Sequence, residues 1–321
     1  MDIPQYSADP VIVEGNDVPP DGTFDWLERP GDIRLRYALW PVPASQTERG
    51  TVVIVPGRIE FIEKYFETIS ELQERGFAIT ILDLRGQGLS SRELSNRLKG
   101  HITDFQSYVD DLHALVSDVV LPNMPQPLTL LGHSMGGTIS LCYLHDHSDV
   151  IERAVLSAPM TGIKLPLMTP FITSWLASLA VRLGVRTLVP ITTQWVPLKA
   201  TFKKNLVTRD EARFDRFLTL LRTEPLLALG PPTFGWINAA YRAMANFSQP
   251  SYLTQIKTPI LIAGAGNDRL IDSATHHVLA PMLPMAQLEE IANCEHEILM
   301  ERDEMRRAFW AHFDQFVNAP A

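Results

Sequence analysis

Ser134 stands at the centre of Gly132-His133-Ser134-Met135-Gly136, between the apolar run Pro127–Leu131 and the helix-forming stretch Gly137-Thr138-Ile139-Ser140-Leu141. A serine forced into a tight strand-to-helix turn occupies strained backbone space. Only glycines two residues to either side let the neighbouring chain pass that close. The turn lifts the hydroxyl clear of the strand and aims the N-terminus of the following helix at the reacting centre, where its partial positive charge favours a developing oxyanion. G-x-S-x-G in this context is a nucleophile elbow.

A serine hydroxyl is a weak nucleophile near neutral pH. It needs an adjacent base, and the base needs a third group that holds its tautomer and stabilises the imidazolium. Where an elbow serine is used, the acid and then the histidine follow it in the chain. Gly264-Ala265-Gly266-Asn267-Asp268 lies after a late strand pattern and makes Asp268 the candidate acid. Asp272, four residues on, suits a helix start. Asn293-Cys294-Glu295-His296-Glu297 lies between the last strand pattern and the last helix pattern, and makes His296 the candidate base. The other eight histidines read as surface or supporting residues. His145 and His147, two apart on a helix, do not face each other as a metal pair would, so no metal is expected.

The anionic intermediate of such chemistry needs two backbone donors. One is the amide of Met135. The other is expected from Pro56-Gly57-Arg58 after an early strand, with the Arg58 amide as donor, although a plain turn would also end a strand this way. Each donor would contribute about 3 kcal/mol to transition-state stabilisation.

These residues require a scaffold that ends several strands at one edge. Strand patterns occur at 33–40, 51–55, 77–83, 128–131, 153–157, 258–264 and 287–291, and helix patterns at 61–75, 103–120, from about 273 and from about 297 to 317. The alternation predicts a mostly parallel central sheet with helices on both faces, and the elbow set within it points to an α/β-hydrolase fold. From 160 to 251 the alternation stops, with helical stretches such as 210–221. That length exceeds a loop, so it predicts a helical cap inserted between core segments 1–159 and 252–321, over the strand ends where open sheets bind ligands.

The 321 residues are 45% hydrophobic and 20% charged, as in ordinary globular proteins, and the formal net charge of −9 shows no basic cluster of the kind that meets nucleic acid. Two cysteines, Cys142 and Cys294, are too few for a disulfide framework. The first residues lack the basic and apolar regions of a secretory signal. The stretch 165–189 is broken by Pro166, Pro170, Arg182, Gly184 and Arg186, and reads as amphipathic cap helices, not as a membrane span. A cytoplasmic location follows as the expectation. An amphipathic cap leaves peripheral contact with the inner face of a membrane open. Nothing in the sequence sets the oligomeric state.

The motifs also resemble a family. Pro56-Gly57-Arg58-Ile59-Glu60 with Glu63-Lys64-Tyr65, Asp83-Leu84-Arg85-Gly86-Gln87-Gly88, Gly100-His101, Tyr108-Val109-Asp110-Asp111, the elbow, Asn267-Asp268 and His296-Glu297 are similar to those of the serine hydrolases that include lysophospholipase L2 and monoacylglycerol lipase, in the serine aminopeptidase S33 grouping. Pro56-Gly57, in place of His-Gly, is closer to the lysophospholipase L2 branch. The resemblance implies a cofactor-free hydrolase acting on a fatty-acyl ester, with Ser134, Asp268 and His296 as its triad and Arg58 and Met135 at the oxyanion hole. Phe171, Trp175, Leu176, Trp195, Phe202, Phe217, Trp236 and Tyr241 would suit an acyl chain or form the insertion's own core. Asp210, Glu211, Asp215 and Glu224 offer an acidic set for an aminopeptidase, or a solvated face. Lys164 could meet a head-group phosphate. A non-catalytic binding module would be expected to lack a triad member. Epoxide hydrolases and haloalkane dehalogenases need Asp where Ser134 stands.

Overall fold

Burial sorts the strands. In the computed structural model, which describes residues 6–164, 169–190 and 197–319, strands β1 (Thr23–Arg29) and β2 (Ile33–Trp40) carry exposed or half-buried positions. By contrast β3 (Thr51–Val55), β4 (Ala78–Leu82), β5 (Leu128–His133), β6 (Arg153–Ser157) and β7 (Ile260–Ala265) are buried at every residue. Continuous aliphatic runs of this kind suit strands covered on both faces. With β8 (Ala286–Ile291) they form one sheet in the order β1-β2-β4-β3-β5-β6-β7-β8, antiparallel at β1/β2 and β2/β4 and parallel elsewhere. The chain leaves β3 toward β4 on one side and returns to β5 on the other, so the carboxyl ends of β3 and β5 flank a topological switch point. There Val55 pairs with Gly132.

The helices are α1 (Phe66–Glu74), α2 (Gln106–Ala114), the turn α3 (Leu121–Asn123), α4 (Met135–Asp146), α5 (Pro170–Arg182), α6 (Glu211–Thr223), α7 (Phe234–Asn246), α8 (Pro250–Leu253), α9 (Ala274–Leu279) and α10 (Asp303–Asn318). Phe66, Ile69 and Leu72 of α1 and Phe309, Trp310 and Phe313 of α10 share one core with side chains of the sheet. Leu112 of α2, Ile139 and Leu141 of α4 and Leu279 of α9 build a separate core with the rest of the sheet. The parallel sheet covered on both faces is therefore present.

Helices α5 to α8 lie between β6 and β7, where the alternation stops. Trp236, Ala239, Ala240, Ala243 and Met244 of α7 belong to the same core as α2 and α4. α5 packs on α7 and turns Phe171 and Trp175 outward, at 79 and 56% exposure, and Leu183 just past its end is 70% exposed. α6 is anchored through Arg213, whose guanidinium meets Glu67, Asp210 and Asp303 and donates to the Glu301 carbonyl. Among the described residues no helix is long and apolar enough to cross a membrane.

Local expectations shift in two places. The sequence does not mark β1 as a strand, because Thr-Phe-Asp-Trp-Leu-Glu-Arg mixes charges into the alternation of an edge strand. The final helix was expected from about 297, but Ile298–Met300 is a single tight turn and α10 begins at 303. Glu301 is extended at the break, where its carboxylate accepts the amides of Glu295, Arg209 and Arg302, a pattern a continuous helix would not allow.

Arg36 on β2 is fully buried. It donates to both Glu63 oxygens at 2.9 and 2.7 Å and pairs with Asp83 at 3.0 Å. Asp83 in turn accepts the Ile62 and Leu89 amides, so one guanidinium locks the segments leaving β3 and β4. Arg36→Leu strands two carboxylates in the core. It should lower the unfolding free energy by about 3–5 kcal/mol, read as a lower urea midpoint at unchanged slope. A loss below about 1 kcal/mol would contradict this role.

Candidate active site

The turn from β5 into α4 is built by what its glycines lack. A Cβ on Gly136 would overlap the carbonyl oxygens of Val55 and Pro56, one on Gly132 would meet the Ser140 hydroxyl, and one on Gly137 would meet Pro159. Ser134 sits at φ 51° and ψ −115°, a region L-residues avoid at a cost of about 1–3 kcal/mol. The surrounding bonds hold it there. Its amide donates to the Ser157 carbonyl at 2.9 Å, and its own carbonyl accepts from Gly137 and Met160, each at 2.9 Å.

The Ser134 hydroxyl is 2.8 Å from Nε2 of His296, and Nδ1 of His296 is 2.6 Å from Oδ2 of Asp268. Asp268 follows β7 and His296 follows β8, so the two groups reach Ser134 from adjacent strand ends. The remaining carboxylate oxygen of Asp268 accepts the Leu270 and Ile271 amides at 2.8 Å each. Burial alone would push the Asp268 carboxyl up, but the His296 hydrogen bond and those two amides outweigh it and hold the group below its ordinary value. An ionised Asp268 requires a proton on Nδ1 of His296, which leaves Nε2 free to take a proton from Ser134.

Beside the elbow runs Pro56-Gly57-Arg58-Ile59-Glu60. Among the described residues no protein group accepts from the backbone amide of Arg58 or of Met135, the first residue of α4. Ile59 sits at φ 68°, an outlier for a β-branched residue. Gln87 holds the turn by donating to the Gly57 carbonyl at 2.7 Å and the Glu60 carbonyl at 3.3 Å, and it accepts the Ile59 amide at 3.3 Å. Glu60 folds back to accept the Gly57 amide, the Tyr65 hydroxyl at 2.6 Å and the Lys64 ammonium at 2.8 Å. Burial would raise the Glu60 carboxyl, yet Lys64, His133 and Tyr65 hold it at about 2.

The line from Ser134 through His296 to Asp268 can transfer a proton from the hydroxyl to the imidazole, the nucleophile activation that acyl transfer needs. The sequence candidates Ser134, Asp268 and His296 therefore meet, Met135 follows Ser134 as the first residue of α4, and Arg58 lies in the turn after β3. The Arg58 side chain goes elsewhere, donating to the Gly230 carbonyl and lying over the Trp236 ring with its centroid 5.3 Å away. Burial of that guanidinium lowers its pKa to about 10. Asp272 is not brought to His296, and accepts the Ala274 amide near the start of α9 at 3.3 Å. Lys164 donates to the Asp268 carbonyl at 2.8 Å. Asp210 caps α6 and pairs with Arg213, and Glu224 accepts the Leu226 amide. Of the aromatic set, Phe217 and Trp236 are core residues, Phe171 and Trp175 are exposed, and Trp195 lies outside the described residues. Gln87, Lys64 and Tyr65 stood in the motifs without assigned roles. Glu60 and Lys64 stand four residues apart, the spacing at which side chains meet on one turn, and that step is the signal for their pairing.

The depressed Asp268 carboxyl adds stability above its ordinary value of 3.8 and loses it as the pH falls through the lower folded value. Wild type should therefore lose more stability than Asp268→Asn between pH 5 and pH 3, measured as urea midpoints at both pH values. Parallel slopes would contradict the depressed carboxyl.

The model of the family described as serine aminopeptidase, S33, matches residues 46–303. Lysophospholipase L2 of Escherichia coli K12 is 32% identical over 301 residues, covering 89% of this chain and 85% of its own. A probable lysophospholipase L2 of Haemophilus influenzae is 30% identical over 295 residues, 91% of each chain. Among solved structures, a soluble variant of monoglyceride lipase from Saccharomyces cerevisiae in complex with a substrate analog superposes with a TM-score of 0.74 at 20% identity, covering 98% of both chains, which shows a common fold. By the family match and by its likeness to the lysophospholipase L2 proteins, the chain belongs to the serine aminopeptidase S33 family of α/β-hydrolases.

Proposed function

We propose that this protein is a serine hydrolase that cleaves the carboxylic ester of a monoacyl lipid, a lysophospholipid before other esters, through an acyl-enzyme on Ser134. The observation that carries the reading is the unbroken hydrogen-bonded line from the strained Ser134 hydroxyl through His296 to Asp268. Ser134 Oγ attacks the ester carbonyl as His296 takes its proton, and the tetrahedral oxyanion is held by the amides of Arg58 and Met135. His296 then protonates the departing glycerol oxygen. A water molecule, deprotonated by the same imidazole, attacks the acyl carbon, releases the fatty acid and restores Ser134. Asp268 keeps the proton on Nδ1 and stabilises the imidazolium. No step needs a cofactor.

The lysophospholipid preference rests on the two L2 relatives, each at least 30% identical over most of its length. Monoacylglycerol lipase or general carboxylesterase activity is the alternative. An aminopeptidase is less well supported, because Asp210 and Glu224 are already engaged in caps and an ion pair.

Residues 160–251 serve in this reading as a cap over a core of 1–159 and 252–321. The cap also fits peripheral contact with the inner face of a membrane, from a cytoplasmic location. Phe171, Ile172, Trp175 and Leu176 are exposed on α5. Residues 160–251 contain 11 Lys and Arg against four Asp and Glu, while the rest of the chain contains 17 against 33. An apolar helix face in a basic segment suits an anionic leaflet.

The test is release of free fatty acid from lysophosphatidylcholine, lysophosphatidylethanolamine and monoacylglycerol, each with wild type and Ser134→Ala. Faster turnover of the lysophospholipids, lost in Ser134→Ala, is the expected result. Asp268→Asn should lower kcat by about 10⁴-fold with little change in KM, because the amide holds the wrong imidazole tautomer. Serine-dependent turnover of monoacylglycerol alone would favour the alternative, and equal rates for wild type and Ser134→Ala would overturn the mechanism.

A further inference from the structure

The proposed oxyanion turn and the proposed base arrive on different strand ends, from β3 and β8, and a single buried ammonium joins them. Lys64 Nζ lies 2.8 Å from Oε1 of Glu60 and 2.7 Å from Oε1 of Glu297, with only 3% of its side chain exposed. Glu60 bonds the Gly57 amide, one residue before the Arg58 donor, and Glu297 is the residue after His296. Both anchors are fixed further. The Glu297 amide donates to the Val207 carbonyl at 2.8 Å, its carbonyl accepts from Met300 at 2.8 Å, and Tyr65 grips Glu60 from α1's leading turn. Phe217 of α6 closes the outer side, its ring centroid 5.1 Å from the ammonium.

We infer that Lys64 is a positioning residue, a brace that sets the separation between the oxyanion turn and the loop carrying His296. This rests on the proposed roles of Arg58 and His296, and reaches beyond them to residues that need not touch the substrate. The packing around the turn makes the separation matter. A Cβ on Gly57 would come within 2.8 Å of a Glu60 oxygen and 2.9 Å of the His133 ring, and the His133 ring lies 5.0 Å from that of His296. Any outward movement of Glu60 therefore frees both the turn and the wall against which the base rests. Ile59, held at φ 68°, gives the turn a reason to relax once released. Burial opposes charge on Lys64, but Glu297 and Glu60 outweigh it and raise its pKa, so the ammonium stays charged and the brace stays intact across the neutral range. A small cavity lined by Glu60, Lys64, His133 and Glu297 among others adjoins the two ion pairs.

A brace and a merely stabilising ion pair separate experimentally. Lys64→Met leaves Glu60 and Glu297 without their shared cation, whereas the double variant Lys64→Met/Glu297→Gln relieves that charge without restoring the connection. Both are assayed on a p-nitrophenyl acyl ester for kcat and KM, on a trifluoromethyl ketone analogue of the acyl group as a tetrahedral mimic, and by thermal unfolding. A misplaced donor costs transition-state binding selectively. The brace predicts that kcat falls about tenfold or more in both variants, that KM stays within about twofold, and that ketone affinity falls with kcat/KM while the double variant regains melting temperature. Recovery of kcat together with melting temperature would overturn it and leave Lys64 a structural charge. If Lys64→Met does not fold, Glu297→Ala removes only the far anchor at a 15% exposed site, and unchanged kcat and ketone affinity there would overturn the brace equally. Turnover that survives Ser134→Ala would instead count against the catalytic roles from which the inference starts.

Discussion

The site depends on a close approach of two backbones at the ends of β3 and β5. Val55 pairs with Gly132, and past that pair the carbonyls of Val55 and Pro56 lie where a Cβ of Gly136 would be. Because the sheet is parallel there and the chain reverses its winding direction at that pair, the turn after β3 and the elbow after β5 open onto one crevice. Substituting any larger residue at Gly136 would push α4 away from the carbonyls of Val55 and Pro56 and so away from the end of β3. Ser134 is strained because this approach leaves its backbone no relaxed alternative, and the bonds to Ser157, Gly137 and Met160 offset the strain.

Around that contact the chain buries charges in connected groups. Arg36 lies between Glu63 and Asp83, Lys64 between Glu60 and Glu297, and Arg213 among Glu67, Asp210 and Asp303. Buried ion pairs are weak sources of stability, since desolvation cancels much of their attraction. Their value here is geometric, because each cation joins segments that the sheet alone does not connect. Arg36 ties β2 to the segments after β3 and β4, Lys64 ties the turn after β3 to the loop after β8, and Arg213 ties α6 to α1 and the start of α10. Asp268 follows the same logic at the smallest scale, since its carboxylate is spent on one imidazole and two amides.

What was legible in the sequence was whatever a local pattern encodes. Apolar runs such as Thr51–Val55 and Arg153–Ser157 announced buried strands, G-x-S-x-G announced the elbow, and chain order after the serine pointed to Asp268 and His296. The edge strand β1 escaped because charges interrupt its alternation. The break before α10 escaped because its cause is three amides gathered on Glu301, one of them from Arg209, nearly a hundred residues away. Lys64 was visible as a residue but not as a bridge, since Glu297 lies more than two hundred residues further along the chain, beyond β8. The direction of the Arg58 side chain was likewise invisible, because Gly230 and Trp236 come from the insertion. The aromatic residues of that insertion divide by packing partner, with Phe217 and Trp236 inside and Phe171 and Trp175 outside, a division composition does not contain.

The measurement that bears most directly on the acyl-enzyme mechanism is rapid-quench mass spectrometry of the protein mixed with a lysophospholipid of known chain length. A mass increase equal to the acyl group minus one hydrogen, located on the peptide that carries Ser134 and decaying as fatty acid appears, is the expected result. Full turnover by Ser134→Ala, or an acyl group on a different residue that decays at the turnover rate, would contradict a serine nucleophile at the end of β5.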